Sequence, residues 1–128
     1  MIKELPNKNN AIVEDRKIRE YLLNVDHPEG GSKAKFFIAK GFNRSNIEDF
    51  RAMLLAHARN NAVNKMETNK YTTKYIMEGP AHYLTVSKTF SSEEQQEKQV
   101  TSNKINLRTV WSIVHDTNIP KLVTAYPI

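Results

Sequence analysis

Residues 70–77 read KYTTKYIM, and this stretch decides the fold because the hydrophobic period of the chain changes there. Tyr71, Thr73, Tyr75 and Met77 alternate along one face, which is typical of a β-strand. Before this stretch the apolar residues recur at helical spacing, and after it they recur at strand spacing. The sequence therefore predicts helices first and strands afterwards.

Three helices are predicted before that stretch. In chain order they cover residues 14–24, 32–41 and 45–60. Ser32 is the expected N-cap of the second helix, and Gly41 is expected to end it. Ser45, followed three residues later by Glu48, matches a capping box at the start of the third helix.

Four strands are predicted in the second half of the chain. They cover residues 70–77, 81–88, 107–115 and 121–126. Gly79-Pro80 predicts a turn between the first two, and the polar residues 89–104 predict a long exposed hairpin loop. The predicted fold class is α+β, with N-terminal helices packed on a roughly four-stranded antiparallel sheet in a single domain, residues 1–128.

The positive charge of the chain is concentrated in its centre. The net charge is +5, but residues 32–75 hold nine basic and three acidic side chains, so this segment carries +6 and the remainder −1. A local excess of this kind is typical of a surface that faces phosphates, although a solvated helix face accounts for it equally well.

Several classes of protein are excluded by composition. The absence of cysteine rules out disulfide scaffolds, thiolate zinc sites and cysteine nucleophiles. No apolar stretch is long enough to span a membrane, and the start MIKELPNKNN has no apolar core of a secretory signal. We expect a soluble, cytoplasmic protein that has no membrane partner.

The loop before the second helix holds the best candidate for proton transfer. His27 precedes Pro28 and two glycines, and imidazole titrates near neutral pH. Ser32 and the amides after it are placed to hold an anion at a helix start, with Lys33 as a cationic clamp. A solvated loop histidine is the alternative interpretation.

Hydroxyl groups on the last strand form a second candidate group. Thr124 and Tyr126 are two residues apart, so their side chains are expected on one face together with Leu122. Arg108 on the preceding strand would lie across from them as a phosphate clamp. Trp111 is expected in the core.

Neither a metal site nor a cofactor site is expected. The four histidines are scattered, and serine hydrolase and dinucleotide-binding motifs are absent. The remaining His, Lys, Arg, Thr and Tyr side chains suit metal-independent RNA cleavage, in which one group deprotonates the 2′-hydroxyl, cations stabilise the phosphorane and another group protonates the leaving oxygen.

Nearly the whole chain resembles a bacterial family of unknown function, through the stretches LPN, YLLN, DHPEGGSKAKFF, GF, LRTVWSIV and PKLVTAYPI. The most specific parts are the HPxGxxKA loop that begins at His27 and the terminal LVTAYP. Members of that family occur beside a small partner gene or as the last domain of polymorphic toxins. The layout is similar to the superfamily of barnase, EndoU, colicin-type tRNases and RelE.

This resemblance implies a metal-independent endoribonuclease toxin that cleaves tRNA or mRNA and is neutralised by a small acidic antitoxin or immunity protein. It implies His27 as general acid or base and Lys33 on the phosphate. Thr124 and Tyr126 would lie on the last strand, where that superfamily often keeps a site residue, with Arg108 as a further candidate. No carboxylate stands in a barnase-type base position, and no second histidine stands in an EndoU-type loop.

Two other functions are compatible with the same residues. A non-catalytic nucleic-acid-binding protein or mobile-element accessory protein would use the basic surface without needing His27. A binder of acidic proteins would use that surface as its docking face.

Overall fold

The computed structural model describes residues 3–90 and 96–128, and in it the helices precede a four-stranded antiparallel sheet. The helical elements are α1 (Asp15–Lys17), which continues as a π-helical turn (Ile18–Leu22), α2 (Gly31–Ala39) and α3 (Ile47–Asn60). The strands are β1 (Val63–Thr68), β2 (Thr72–Phe90), β3 (Gln96–Val114) and β4 (Lys121–Pro127), and they lie in the sheet in chain order. The α+β prediction is confirmed.

One hydrophobic core joins the helices to one face of the sheet. Phe37 of α2 and Phe50 of α3 are fully buried, and they belong to the same cluster as Met77, Leu107 and Trp111 of the strands. The prediction that Trp111 lies in the core is confirmed. None of the helices within residues 3–90 and 96–128 is long and apolar enough to cross a membrane.

The other face of the sheet, called the open face below, carries the polar residues of the strands. Side chains alternate between the two faces, so cross-strand partners lie together in rows. Two rows matter for the site: Glu78–Arg108–Tyr126 and, one step further along the strands, Ile76–Val110–Thr124. All six of these residues are half-buried.

Strand β1 was not predicted. It reads VNKMET, and its residues from Asn64 onward are exposed. A strand at the edge of a sheet without a buried face lacks the apolar alternation by which strands are recognised in sequence. Its identity follows only from its antiparallel pairing with Thr73–Met77 of β2.

The predicted turn at Gly79-Pro80 is wrong, because β2 runs straight through both residues. Gly79 pairs with Leu107 and Pro80 with Asn106 of β3. β1 pairs with β2 only as far as Met77, so within the described chain Pro80 has a neighbouring strand on one side only. Proline, which lacks an amide donor, is tolerated at such an edge.

The predicted loop at residues 89–104 is also wrong over the described part. Residues 89–90 and 96–104 are strand, and residues 96–104 of β3 pair with residues 82–90 of β2 in a long two-stranded arm, whereas residues 91–95 lie outside the described chain. Leu84 and Val100 on this arm are 66% and 61% exposed. Where strand side chains meet solvent, as at Leu84 and Val100, no alternating apolar pattern is needed, so a polar strand resembles a loop in sequence.

The predicted helix caps are displaced by one or two residues. Gly30 rather than Ser32 is the N-cap of α2, and Asn46 rather than Ser45 is the N-cap of α3. Asn43 explains the second shift, because its side-chain oxygen accepts from the Ser45 amide at 2.8 Å and so forms an Asx turn before the helix.

The expectation that Leu122 shares a face with Thr124 is wrong because β4 contains a bulge. Val110 pairs with Thr124 but Trp111 pairs with Leu122, so Val123 is an extra residue. Leu122 therefore turns into the core, where it is 4% exposed, and Thr124 turns to the open face. The bulge thereby places the hydroxyls of Thr124 and Tyr126 on the same face as Arg108.

Candidate functional site

Lys33 lies at the centre of a polar cluster where the π-helical turn, α2 and β4 meet. Its ammonium group donates to the Tyr21 hydroxyl at 2.7 Å and to Thr124 Oγ1 at 3.1 Å. The same Nζ lies 5.1 Å from the ring centroids of both Tyr21 and Tyr126, within the range of cation–π attraction. These contacts hold the half-buried Lys33 in one position between two tyrosine rings.

The hydroxyl of Tyr21 is altered by this contact. Burial by itself raises the pKa of the phenol, but hydrogen bonds with Lys33 and Thr124 and the positive charge of Lys33 lower it, and the net pKa lies below the ordinary 10.0. Tyr21 belongs to the π-helical turn Ile18–Leu22, a conformation that is frequent at functional sites. The site therefore contains a tyrosine whose proton is easier to remove than usual.

Arg108 extends the cluster across the open face. It lies in a row with Glu78 and Tyr126, donating to the Tyr126 hydroxyl at 3.0 Å and to Glu78 Oε2 at 2.9 Å. The hydrogen bond with Tyr126, followed by that with Glu78, raises the pKa of the guanidinium, so Arg108 stays charged. The Nε–H of Arg108 is buried and has no acceptor within residues 3–90 and 96–128, so one donor of the guanidinium is unsatisfied.

His27 joins the cluster through Tyr21. The two rings meet edge to face, with centroids 4.7 Å apart. The backbone amides of Glu29 and Gly30 both donate to His27 Nδ1 at 3.0 Å. Because Nδ1 accepts these bonds, the neutral imidazole carries its proton on Nε2 and acts there as a hydrogen-bond donor.

The two glycines after His27 allow the loop to approach the chain's own backbone closely. A Cβ at Gly30 would lie 2.9 Å from the carbonyl oxygen of Tyr21, and one at Gly31 would lie 2.5 Å from that of Val25. Their small size lets the loop pack against the chain's own backbone, which brings the start of α2 close to Tyr21. Lys33 consequently turns to Tyr21 and β4 rather than to the helix N-terminus.

A surface depression of about 380 Å³ adjoins the cluster. Tyr21 and His27 line it together with Lys17, whose ammonium lies 5.3 Å from the Tyr21 ring centroid. Lys33 and the residues of β4 do not line this depression. The contact network around Lys33, rather than this depression, therefore defines the candidate site.

The five site residues expected from sequence are brought together by the fold. Lys33, Thr124, Tyr126 and Arg108 form one network of direct contacts. His27 is connected to that network through the Tyr21 ring. The chain thus gathers residues separated by up to about 100 positions, as a functional site assembled from distant segments requires.

Sequence reasoning missed Tyr21 and Glu78. Tyr21 belongs to the apolar stripe of the first helix, and only its hydroxyl, the polar end of an otherwise apolar ring, hinted at another role. A predicted strand extended past Met77 would have placed Glu78 on the open face by alternation, and the pairing of β2 with β3 then brings it beside Arg108.

The remaining histidines do not belong to this cluster. His57 is buried between α3 and the sheet, whereas His82 and His115 are exposed on the strands or just beyond them. Residues 3–90 and 96–128 contain no group of three or more histidine, aspartate or glutamate side chains arranged to hold a metal ion.

One family model matches residues 4–128, which is nearly the entire chain, and its description is a domain of unknown function, DUF6883. The chain belongs to the DUF6883 family. No curated protein and no solved structure matches this DUF6883 chain.

Proposed function

We propose that this protein is an endoribonuclease that cleaves RNA without a metal ion, by attack of a 2′-hydroxyl on the adjacent phosphate. The observation that carries the proposal is the Lys33 ammonium, which is fixed between the Tyr21 hydroxyl and Thr124 and lies against the Tyr126 ring. Such a reaction needs a base, fixed positive charge on the phosphate and an acid for the leaving group. This cluster contains a group suited to each task.

Tyr21 is assigned the role of base. Its pKa is lowered by Lys33, so at a given pH it is deprotonated more often than an ordinary tyrosine. The Tyr21 oxygen takes the proton of the 2′-hydroxyl as the 2′-oxygen bonds to phosphorus. His27 is less suited to this step, because Nδ1 is engaged by two amides and Nε2 already carries the proton. It is assigned a hydrogen bond from Nε2 to the substrate.

Tyr126 is assigned the role of acid. Its oxygen accepts a hydrogen bond from Arg108, so the hydroxyl proton of Tyr126 remains available to the leaving oxygen. The P–O5′ bond breaks, the 5′-oxygen takes the Tyr126 proton, and the other product ends in a 2′,3′-cyclic phosphate. Lys33 and Arg108 stabilise the negative charge of the phosphorane between these two events.

The charge around the cluster supports an anionic substrate. Lys33 and Arg108 are both half-buried, and Glu78, the carboxylate that contacts Arg108, is itself paired with it. Lys33 lies within the segment 32–75, which carries a net charge of +6. The proposed substrate is thus cytoplasmic tRNA or mRNA, and a small acidic protein that covers the same cations would act as the inhibitor.

The test is cleavage of a labelled single-stranded RNA by the purified protein in EDTA. We expect products that end in a 2′,3′-cyclic phosphate, and no cleavage where a 2′-deoxy nucleotide replaces the nucleotide before the cut. Lys33→Ala and Tyr21→Phe should each lower kcat by about 100-fold. The first removes a charge that stabilises the phosphorane, and the second removes the group that takes the proton of the 2′-hydroxyl. Lys35→Ala is the matched control, since Lys35 is exposed on the same helix.

Three results would overturn the proposal. RNA left intact by the folded wild-type protein, with and without magnesium, would do so. Binding without cleavage would favour the non-catalytic nucleic-acid-binding function instead. Equal loss of activity in Lys33→Ala and Lys35→Ala would show that general charge, and not the contact between Lys33 and Tyr21, is responsible.

A further inference from the structure

The open face carries a second set of cations that the proposed reaction does not use. Lys74, Ser112 and Lys121 are cross-strand neighbours on β2, β3 and β4, and they are called the distal row here. Both lysines are exposed, and Ser112 between them is half-buried. The distal row lies four residues from Arg108 along β3, which is about 13 Å at the usual rise of a strand.

The lysines of the distal row have no anionic partner in the described chain. Neither Lys74 nor Lys121 forms a side-chain ion pair or hydrogen bond within residues 3–90 and 96–128. Glu67 pairs with Lys74 in the register of β1 and β2, but its carboxylate contacts Lys65 at 3.3 Å. The positive charge of Lys74 and Lys121 is therefore available to a ligand.

We propose that the distal row binds a second phosphate of the same single-stranded RNA, so that the substrate runs along the open face from Arg108 toward the turn between β1 and β2. This inference rests on the proposed function. Groups about 13 Å apart cannot contact one phosphate through hydrogen bonds, so the distal row must contact a different one. Ile76 and Val110 lie between the two sites and offer an apolar surface to a base.

The direction in which the RNA runs from Arg108 follows from the shape of the sheet. Toward the distal row the open face is formed by four strands, and two of them supply a lysine. In the opposite direction β4 ends at Pro127, which pairs with Leu107, and the sheet narrows to the two-stranded arm. Lys104 lies there on the same face as Arg108, four residues away, and it pairs with His82 rather than with another lysine.

Lys104 consequently provides a matched control. It is exposed, it is on β3 like Ser112, and it lies as many residues from Arg108 as Ser112 does, but on the other side. A general effect of surface charge predicts the same loss of binding free energy for each lysine removed, whether it is Lys104 or a lysine of the distal row. An RNA path that runs to the distal row predicts weaker binding only when lysines of the distal row are replaced.

The experiment measures binding of a ten-nucleotide 2′-O-methyl RNA by fluorescence anisotropy, because this probe lacks the nucleophile and stays intact. We expect the double variant Lys74→Ala/Lys121→Ala to bind about tenfold more weakly and to reduce the salt slope of log K by about 0.7, the value for one phosphate contact on a single strand. Lys104→Ala should bind as the wild type does. Cleavage of a dinucleotide, which cannot reach the distal row, should be unchanged in both variants.

Failure of the inference is distinguishable from failure of the proposed function. If the wild type cleaves the dinucleotide but the double variant binds the decamer normally, the RNA does not run to the distal row, whereas the proposed cleavage reaction is still supported. If Lys104→Ala lowers log K by half as much as the double variant does, or by more, the loss follows general charge and the proposed path is likewise wrong. If the double variant loses binding to polyglutamate but not to RNA, the distal row is a docking site for an acidic protein, which also overturns the inference.

Discussion

At the scale of single residues, His57 shows how a buried histidine serves the fold. The Trp111 indole donates to Thr109 Oγ1 at 2.9 Å, the Thr109 hydroxyl lies 3.0 Å from His57 Nδ1, and Nε2 lies 3.2 and 3.1 Å from the carbonyl oxygens of Gly79 and Leu107. Every polar atom of the ring is satisfied when the imidazole is neutral, with Nδ1 accepting and Nε2 donating. His57 is therefore a structural residue that ties α3 to β2 and β3.

Stability should fall on acidification because of His57. Burial lowers its pKa in the folded state, although hydrogen bonds with Gly79 and Leu107 partly oppose this. The unfolded chain then binds the proton more readily, so the free energy of unfolding is unaffected above about pH 6.5 and decreases as the pH falls below it toward the folded pKa. Urea denaturation between pH 7.5 and 5 measures the effect.

His57→Gln is the comparison for that measurement. It should cost about 1–3 kcal/mol at pH 7.5, because the Thr109 hydroxyl loses its acceptor. Its stability should depend less on pH than that of the wild type, since all other titrating groups are shared. Parallel pH curves for the two proteins would contradict this role of His57.

At the scale of elements, β2 contains Gly79 and Pro80, two residue types that usually interrupt a strand. Asn61, just after α3, lies over Gly79 so closely that a Cβ there would be 2.0 Å from Asn61 Oδ1. Asn61 Nδ2 in turn donates to the Pro80 carbonyl at 3.2 Å. The side chain of Asn61 thus gives the Pro80 carbonyl of β2 a hydrogen-bond donor beyond Met77, where β1 no longer pairs with β2.

Substitutions at these two positions should differ in cost. Gly79→Ala should lower the free energy of unfolding by about 1–3 kcal/mol, because the added methyl displaces Asn61 from a packed position. Pro80→Ala should lower it by no more than about 1 kcal/mol, because the ladder needs no amide on that edge and mainly the rigidity of the unfolded chain is lost. Urea unfolding of both variants checks this, and a larger cost for Pro80→Ala would contradict it.

At the scale of the whole molecule, the N-terminal segment joins the two edges of the sheet. The Val63 amide of β1 donates to the Lys3 carbonyl at 2.7 Å, and the Leu122 amide of β4 donates to the Ile12 carbonyl at 3.0 Å. Leu5, between them in sequence, is 1% exposed in the common core. The outer strands and the helices should consequently unfold together.

Truncation of Leu5 should therefore destabilise the entire fold. Leu5→Ala should lower the free energy of unfolding by about 2–5 kcal/mol through lost burial and the resulting cavity. Ile12→Ala should cost about 0.5 kcal/mol or less, because Ile12 is 38% exposed and its contact is through the backbone. Calorimetry should show one transition in both variants, and separate transitions for helices and sheet would refute a single cooperative unit.

Prediction from sequence succeeded where burial imposes a pattern. The strand that carries Trp111 and the helix that carries Phe50 were found because each places apolar residues at regular spacing against the core. It failed for β1 and for residues 89–90 and 96–104 of the arm, where the polar sequence follows no apolar pattern. It also failed at Gly79-Pro80, because whether proline is tolerated depends on whether another strand lies beside it.

The sequence by itself determined the fold class, the order of helices and strands, and the residue types from which a site for an anion can be built. These properties depend on local spacing and composition, which each segment carries on its own. Only the tertiary structure decided which residues meet. The bulge at Val123, the close packing at Gly30 and the pairing of β3 with β4 place Lys33 between Tyr21 and Thr124, and they place Arg108 beside Tyr126. Contacts between residues distant in sequence depend on how the segments pack together, and no local pattern encodes that packing.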